Sequence, residues 1–486
     1  MLSLRVFSVA AFAVAAVATA VDAGKVICYY DGWSYHRDGV AKTSNITEAA
    51  ALCDQLYYGY YKINSDYELE TSYKYPYVKG ANIATANNMK AINPNLKVLL
   101  VVGGNVPNRK SDRALSVVET PEKRTTFVNS VHKTVMDYNY DGVDLGWQWP
   151  ESFKEEDKPI MESGFISSVK GLFGLVKEKF REEPTVYREG FSALVRELKA
   201  VLKPDNKILS ISALPHVNTT AYFDFANLKE MTDQFVLHTY DYRAPQYFPK
   251  LADYSAPLHF KNASRRHPSD NVEATVAQWL SAGVPSEKLI MSIPTFGRAW
   301  EVFPTTEELD MEEATKNLSH APCQAVSAAE PGTYTKTKGL VAYYEVCPHL
   351  VNYGPNQAAS SGSPTASNGS HTTLLHRVTD AEKRLGSYCF RVPGLEKGVW
   401  ISYEEPETAA VKAAFAKLKK LGGVAVVDLS LDDFRGMCTG SAFPILKAVK
   451  QIPLLILGHR SHRILSFFQC LERKSITRVF NQCLKT

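Results

Sequence analysis

The residues of this 486-residue chain best placed to do chemistry are Asp141-Gly142-Val143-Asp144-Leu145-Gly146-Trp147-Gln148. They read as the end of a buried strand. Carboxylates spaced along such a strand, closed by a carboxylic acid, would make a hydrolytic site, the last acid giving its proton to a leaving oxygen. The closing position here is Gln148, and an amide has no such proton to give. Side chains alternate along a strand, so Asp144, Gly146 and Gln148 share a face, while Asp141 lies near the strand start. Asp144 reads equally as a core carboxylate, because a buried carboxylate needs hydrogen bonds or its proton in either role.

The elements that position this run form a rhythm. Apolar, strand-like runs fall at 25–30, 52–61, 97–102, 142–147, 208–214, 234–240, 289–294 and 423–429. Helical patterns fall between them at 45–51, 122–138, 190–202, 272–282 and 408–421. Eight strands, most followed by a helix, predict an α/β fold, a (β/α)8 TIM barrel. An open doubly wound sheet is the alternative, but no glycine-rich dinucleotide turn follows the first strand. In a barrel the chemistry gathers at the C-terminal strand ends.

Two stretches break the rhythm. Residues 151–189 exceed an ordinary loop and hold a helical pattern at 165–180. Residues 301–392, with a Pro/Gly/Ser/Asn-rich run at 352–370, are too long for a structureless loop. They predict a small α+β insertion between strand 7 and helix 7. The barrel then occupies 24–300 and 393–450.

The ends of the chain read differently. Residues 1–23, with Arg5, an apolar run and small residues near Ala20 and Ala23, have the pattern of a secretory signal peptide. That makes the eight cysteines candidates for disulfides, and none has zinc-finger spacing, so no metal site and no cofactor are expected. Sequons at Asn45, Asn218, Asn262, Asn317 and Asn368 are candidate glycan sites. In residues 451–486 six basic residues face Glu472 alone, so the chain's net +4 resides in that tail and the body is near neutral. This excludes nucleic-acid binding by the body. The tail reads as a basic amphipathic helix suited to a membrane surface or glycosaminoglycan, or simply as an appendage.

Asp141, Gly142, Asp144 and Trp147 match four of the six positions of Asp-Gly-x-Asp-x-Asp-Trp-Glu, the signature of family-18 chitinases, and the chain resembles that family over 25 to about 450. Val102-Gly103-Gly104, Tyr240-Asp241, Gly297-Arg298-Ala299-Trp300 and Asp432-Asp433-Phe434-Arg435-Gly436 follow in the family's order. Gly146 replaces the third Asp, and Gln148 replaces the acid Glu. Val427 stands where the family has a Trp on the eighth strand, and His238 where it has the Met of Met-x-Tyr-Asp. His238 is either a pH-sensitive group or a core histidine. Trp147-Gln148-Trp149-Pro150 and Val426-Val427-Asp428-Leu429-Ser430 resemble the insect imaginal disc growth factors, chitinase-like members of the family that also carry Gln at the acid position.

The resemblance implies substrate-assisted hydrolysis, in which the Glu protonates the glycosidic oxygen and the sugar's own N-acetyl group attacks. Asp141, Asp144, Gly146 and Gln148 would then be a degenerate site. The disulfides implied are Cys28–Cys53 and Cys347–Cys438, with Cys323–Cys389 as an extra clip. Tyr30, Trp33, Trp147, Gln148, Tyr240, Asp241, Arg298 and Trp300 are candidates for carbohydrate binding. Most of the aromatic ones read equally as core. Three functions follow: a secreted, non-hydrolytic signalling glycoprotein acting through a cell-surface receptor as a monomer, a chitin-binding lectin, or a weak chitinase.

Overall fold

The structure is a computed structural model, and it describes residues 24–37, 45–71, 88–103, 112–150, 184–263, 266–302, 311–352, 374–380, 385–393 and 397–451. The expected leader at 1–23, the helical pattern at 165–180, Gly104, Asn368, and the tail with Cys470 and Cys483 lie outside these residues.

Eight parallel strands close on themselves. They are β1 (Lys25–Asp31), β2 (Gln55–Ile63), β3 (Lys97–Gly103), β4 (Gly142–Gly146), β5 (Ile208–Ala213), β6 (Gln234–Leu237), β7 (Leu289–Pro294) and β8 (Gly423–Val427). Each pairs with the next, and β8 returns to β1 through Lys25↔Gly423 to Cys28↔Val426. This is the expected (β/α)8 barrel. Strands covered on both faces read as continuous apolar runs, as β3 does from Val98 to Val102. Helices pack outside. The one spanning Pro121–Asp137 starts where Thr120 accepts from the Lys123 amide, and Val272–Ser281 starts where Asn271 accepts from Ala274. Close packing shows at Gly103, whose φ is +84° and where a Cβ would meet the Gly146 carbonyl oxygen at 2.1 Å.

Strand alternation puts polar side chains in the barrel interior. Gln234 bonds to Gln55 and to the Tyr57 hydroxyl across it. Ser210 and Ser212 of β5 lie level with Asp144 of β4.

A second sheet follows β7. Its strands run in the order Ser327–Ala328, Phe296–Val302, Gly398–Tyr403, Ser387–Arg391, Leu375–Thr379 and Leu350–Asn352, with Leu340–Ala342 also on Phe296–Val302. Of its two long central strands, Phe296–Val302 begins before the expected 301–392 and Gly398–Tyr403 lies after it, so the sheet extends beyond that interval at both ends. It has its own core of Trp300, Trp400, Tyr388, Phe390 and Tyr254. Tyr388 stacks on Trp400 at 4.7 Å, and Trp300 Nε1 donates to the Phe248 carbonyl at 2.8 Å.

Cys28–Cys53 and Cys347–Cys438 are disulfides, with Cα atoms 5.9 and 5.6 Å apart. The third clip is corrected: Cys323 and Cys389 are separate buried thiols. The reason is parity. Tyr388 and Phe390 point into the core that holds Cys323, so Cys389 between them points to the opposite face, into the barrel-side core.

Trp300→Ala should lower the unfolding free energy by about 3–5 kcal/mol, since it empties a packed core and orphans a carbonyl. Denaturant melts monitored by circular dichroism would show a lower midpoint. An unchanged midpoint would contradict the assignment of Trp300 to that core.

Candidate functional site

The C-terminal mouth of the barrel gathers polar groups from β1, β4, β5, β6 and β8. Asp144 lies at its floor, fully buried. Its Oδ2 accepts from Ser212 Oγ at 2.7 Å and from the Tyr29 hydroxyl at 3.3 Å. Burial pushes its pKa up to about 6, while the neighbouring hydroxyls of Ser212, Ser210 and Tyr29 pull it back. Gly146 follows on the same face with no side chain, and Gln148 is half-buried just past the strand end. Asp141 stands apart at the strand entry. There it accepts the Val98 amide at 2.8 Å and pairs with Lys90 at 2.7 Å, a structural tie far from any leaving group.

Tyr29 on β1 links this floor across the barrel to the end of β6. Its ring meets His238 edge-on at 5.7 Å, and His238 Nδ1 bonds to the Tyr240 hydroxyl. Burial pushes the His238 pKa down to about 4, so it is neutral at physiological pH and belongs to the core. Asp241 follows Tyr240 with φ +59°. Arg298 grips its carboxylate through Nε at 2.7 Å and Nη2 at 2.6 Å, and both residues are buried. Ser255 Oγ adds a contact at 3.3 Å.

The opposite rim carries two carboxylates that the motif reading passed over. Asp428, just past β8, accepts the Asp31 amide at 2.9 Å and the Ser430 amide at 2.6 Å. Burial, and then the Asp31 charge, push its pKa up to about 6. Arg37 lies 3.8 Å from Asp31 and donates to Ser430. Burial, and then the nearby carboxylates of Asp428 and Asp31, hold the Tyr60 hydroxyl well above the usual phenol range.

Three aromatic candidates take other places. Tyr30 faces outward, 5.8 Å from the Tyr58 ring, and its neighbour Tyr29 is the inward residue. Cys28 bonds to Cys53 outside the barrel, and the period of two then turns Tyr30 outward as well. Trp147 is buried between Phe127 and Phe191 on the helix side, the face opposite to Asp144 and Gly146. Trp300 belongs to the core of the second sheet. Trp33 is 51% exposed just beyond β1. Tyr29, Tyr60, Asp31 and Asp428 are the mouth residues that sequence reasoning missed, and strand parity was the signal that would have found Tyr29.

Among the described residues the mouth offers hydroxyls, an ion pair and aromatic edges, which suit a hydroxyl-rich ligand. Asp144 lacks a carboxylate at 146 to pass a proton on, and the amide at 148 has none to donate. Cys347, Asp433 and Cys438 cluster closely enough for a cation, but the two sulfurs are spent in a disulfide.

A fold and site of this kind define a glycosyl hydrolase barrel. The model of glycosyl hydrolases family 18 matches residues 25–432, and the chain belongs to that family. It is 39% identical over 442 residues to chitinase-like protein Idgf4 of Glossina morsitans morsitans, covering 87% of this chain and 93% of that protein. It is 34% identical over 450 residues to imaginal disk growth factor 6 of Drosophila melanogaster, covering 87% and 92%. Human YKL-39, described as a pseudo-chitinase with retained chitooligosaccharide binding properties, shares the fold at a TM-score of 0.65 and 23% identity, covering 88% of this chain and 99% of that one.

A carboxyl whose pKa is higher folded than unfolded takes up a proton on folding between the two values. Asp144 and Asp428 at about 6, and Asp432 at about 7, all rise from 3.8. These three carboxyls should therefore make stability fall as pH rises from about 4 to about 7, while His238, lowered from 6.5 to about 4, offsets part of that fall between about 4 and 6.5. Asp144→Asn should make that slope shallower between pH 4 and 6, read from urea midpoints. An identical slope would show that Asp144 does not titrate there.

Proposed function

We propose that this chain is a secreted, catalytically inactive chitinase-like glycoprotein that signals, as a growth factor, through a receptor at the cell surface. The observation that carries the inactivity is the double loss at Gly146 and Gln148 within a complete barrel. Losing a general acid costs about 10²–10⁴-fold, and the missing carboxylate at 146 removes the group that would pair with both the acid and Asp144. The relatives named as chitinase-like and imaginal disk growth factor proteins support the signalling reading. No helix among the described residues is long and apolar enough to cross a membrane. The sequons Asn45, Asn218, Asn262 and Asn317 are exposed, which supports the glycoprotein reading. Cell growth, wound repair or cuticle integrity are the processes such a signal would serve.

Weak chitooligosaccharide binding is a second reading. It is favoured by Trp33, Tyr29, Tyr240 and the Asp241–Arg298 pair around the mouth, with Gln148 as an amide able to hold a sugar without cutting it. Val427 gives no ring on the eighth strand for such a ligand.

Neither the natural protein nor Gln148→Glu should release fluorophore from a fluorogenic chitotrioside, because Gly146 remains without a carboxylate. Turnover by the natural protein would refute inactivity, and chitinase-like rates in Gln148→Glu would refute the role given to position 146. Calorimetric titration with chitohexaose separates the binding readings: saturation at micromolar levels would make the chain a lectin. Dose-dependent proliferation of cultured insect cells, unchanged by Gln148→Ala, is the result expected of a signal.

A further inference from the structure

A second concave site lies beside the mouth. A cavity of about 570 Å³ opens between the loop after β5, the turn after β6 and the helix Val272–Ser281. That volume falls within the roughly 300–1,000 Å³ of small-molecule sites. Tyr242, Phe248 and Trp279 supply apolar walls. Asn218, Thr219 and Gln278 supply amides and a hydroxyl. Arg243 and Asp270 also line it, paired at 3.1 Å, with the guanidinium 4.3 Å over the Phe248 ring.

The lining selects a ligand class. An apolar ligand would desolvate the amides, the hydroxyl and the ion pair without replacing their hydrogen bonds. An anion would meet Asp270 beside Arg243, and a cation would meet Arg243 beside Asp270. A neutral molecule with an apolar face and a rim of hydroxyl and amide groups satisfies both walls. A pyranose bearing an acetamido group is such a molecule.

One source of that sugar is built into the chain. Asn218 lines the cavity and heads the sequon Asn218-Thr219-Thr220. Its Oδ1 accepts from the Ala221 amide at 3.1 Å and from Thr220 Oγ1 at 2.7 Å. Nδ2, the atom from which an N-linked glycan extends, is the other end of that amide. A ligand tethered there has an effective concentration on the order of millimolar, so a pocket of low intrinsic affinity is still filled.

We propose that the first residues of a glycan on Asn218 fold back into this cavity, which reaches His238 and the ends of β5 and β6 at the edge of the barrel mouth. The proposal rests on the glycoprotein reading above. Docking would hold the loop at 214–219 and the helix Val272–Ser281 together.

Hydrogen exchange followed by mass spectrometry tests this on the secreted protein, whose intact mass and glycopeptides first establish whether Asn218 is occupied. The comparison is with Asn218→Gln and with protein stripped by an amidase, which leaves Asp at 218 and keeps a helix cap. Segments 214–219 and 272–281 should exchange about two- to tenfold more slowly in the glycosylated form. Chitobiose at tens of millimolar should restore that protection to the stripped form, add none to the glycosylated form, and fail on Asp270→Asn. Equal exchange with and without the glycan overturns the tether. Absence of chitobiose protection in the stripped protein overturns the sugar site. A bare Asn218 refutes the glycan at that position, and the chitobiose arm then decides the pocket alone.

Discussion

Closing eight parallel strands on themselves decides what every residue of the barrel can do. A closed ladder has no edge, so each backbone amide finds a strand partner and each side chain goes either to the interior or to the helices. The interior is narrow and dry. A carboxylate that enters it, as Asp144 does, must draw its hydrogen bonds from other strands. Tyr29 on β1 and Ser212 on β5 supply them, so the floor of the mouth is set by register across the barrel rather than by the local motif.

The same constraint explains why the two departures in the motif are compatible with the fold. A further carboxylate at 146 would sit on the face of Asp144, whose pKa burial already raises to about 6. Two such groups could not both ionise there without cost. Glycine at 146 removes that repulsion, and an amide at 148 carries no charge to stabilise. The resulting site holds one buried acid, hydrogen-bonded by hydroxyls, with no carboxyl at 146 or 148 to exchange its proton with.

How much of this could be read beforehand follows from the same alternation. Strand order, strand positions and the chief helices were legible because both faces of a parallel strand are apolar and turns punctuate the runs. The placement of single rings was not. Tyr30 turns away from the barrel interior, Trp147 packs among the helices opposite Asp144, and Cys389 faces away from Cys323. Composition carries no parity, and an aromatic residue suits either face. Trp300, which read equally as a sugar platform or as core, is core because its strand belongs to the second sheet, a register that exists only once residues distant in sequence have paired. Asp31 and Asp428 were invisible because they meet across β1 and β8, almost the full length of the barrel apart in sequence.

The persistence of a family motif is therefore not the persistence of a ligand site. Arg298 lies on a strand of the second sheet, and Asp241 lies just past β6 of the barrel. Their bidentate bond, joined by Ser255, fastens the two sheets together. Breaking a buried pair of this kind by removing one partner costs about 3–5 kcal/mol, enough to fix both residues whether or not sugar ever arrives. The Tyr240–His238–Tyr29 chain likewise fills the interior. The exposed ring of Trp33 and the half-buried amide of Gln148 stand at the same mouth. Sugar binding in the mouth would draw on groups whose places the barrel and the second sheet already fix, so the survival of these residues in the sequence is explained by the fold before any ligand is invoked.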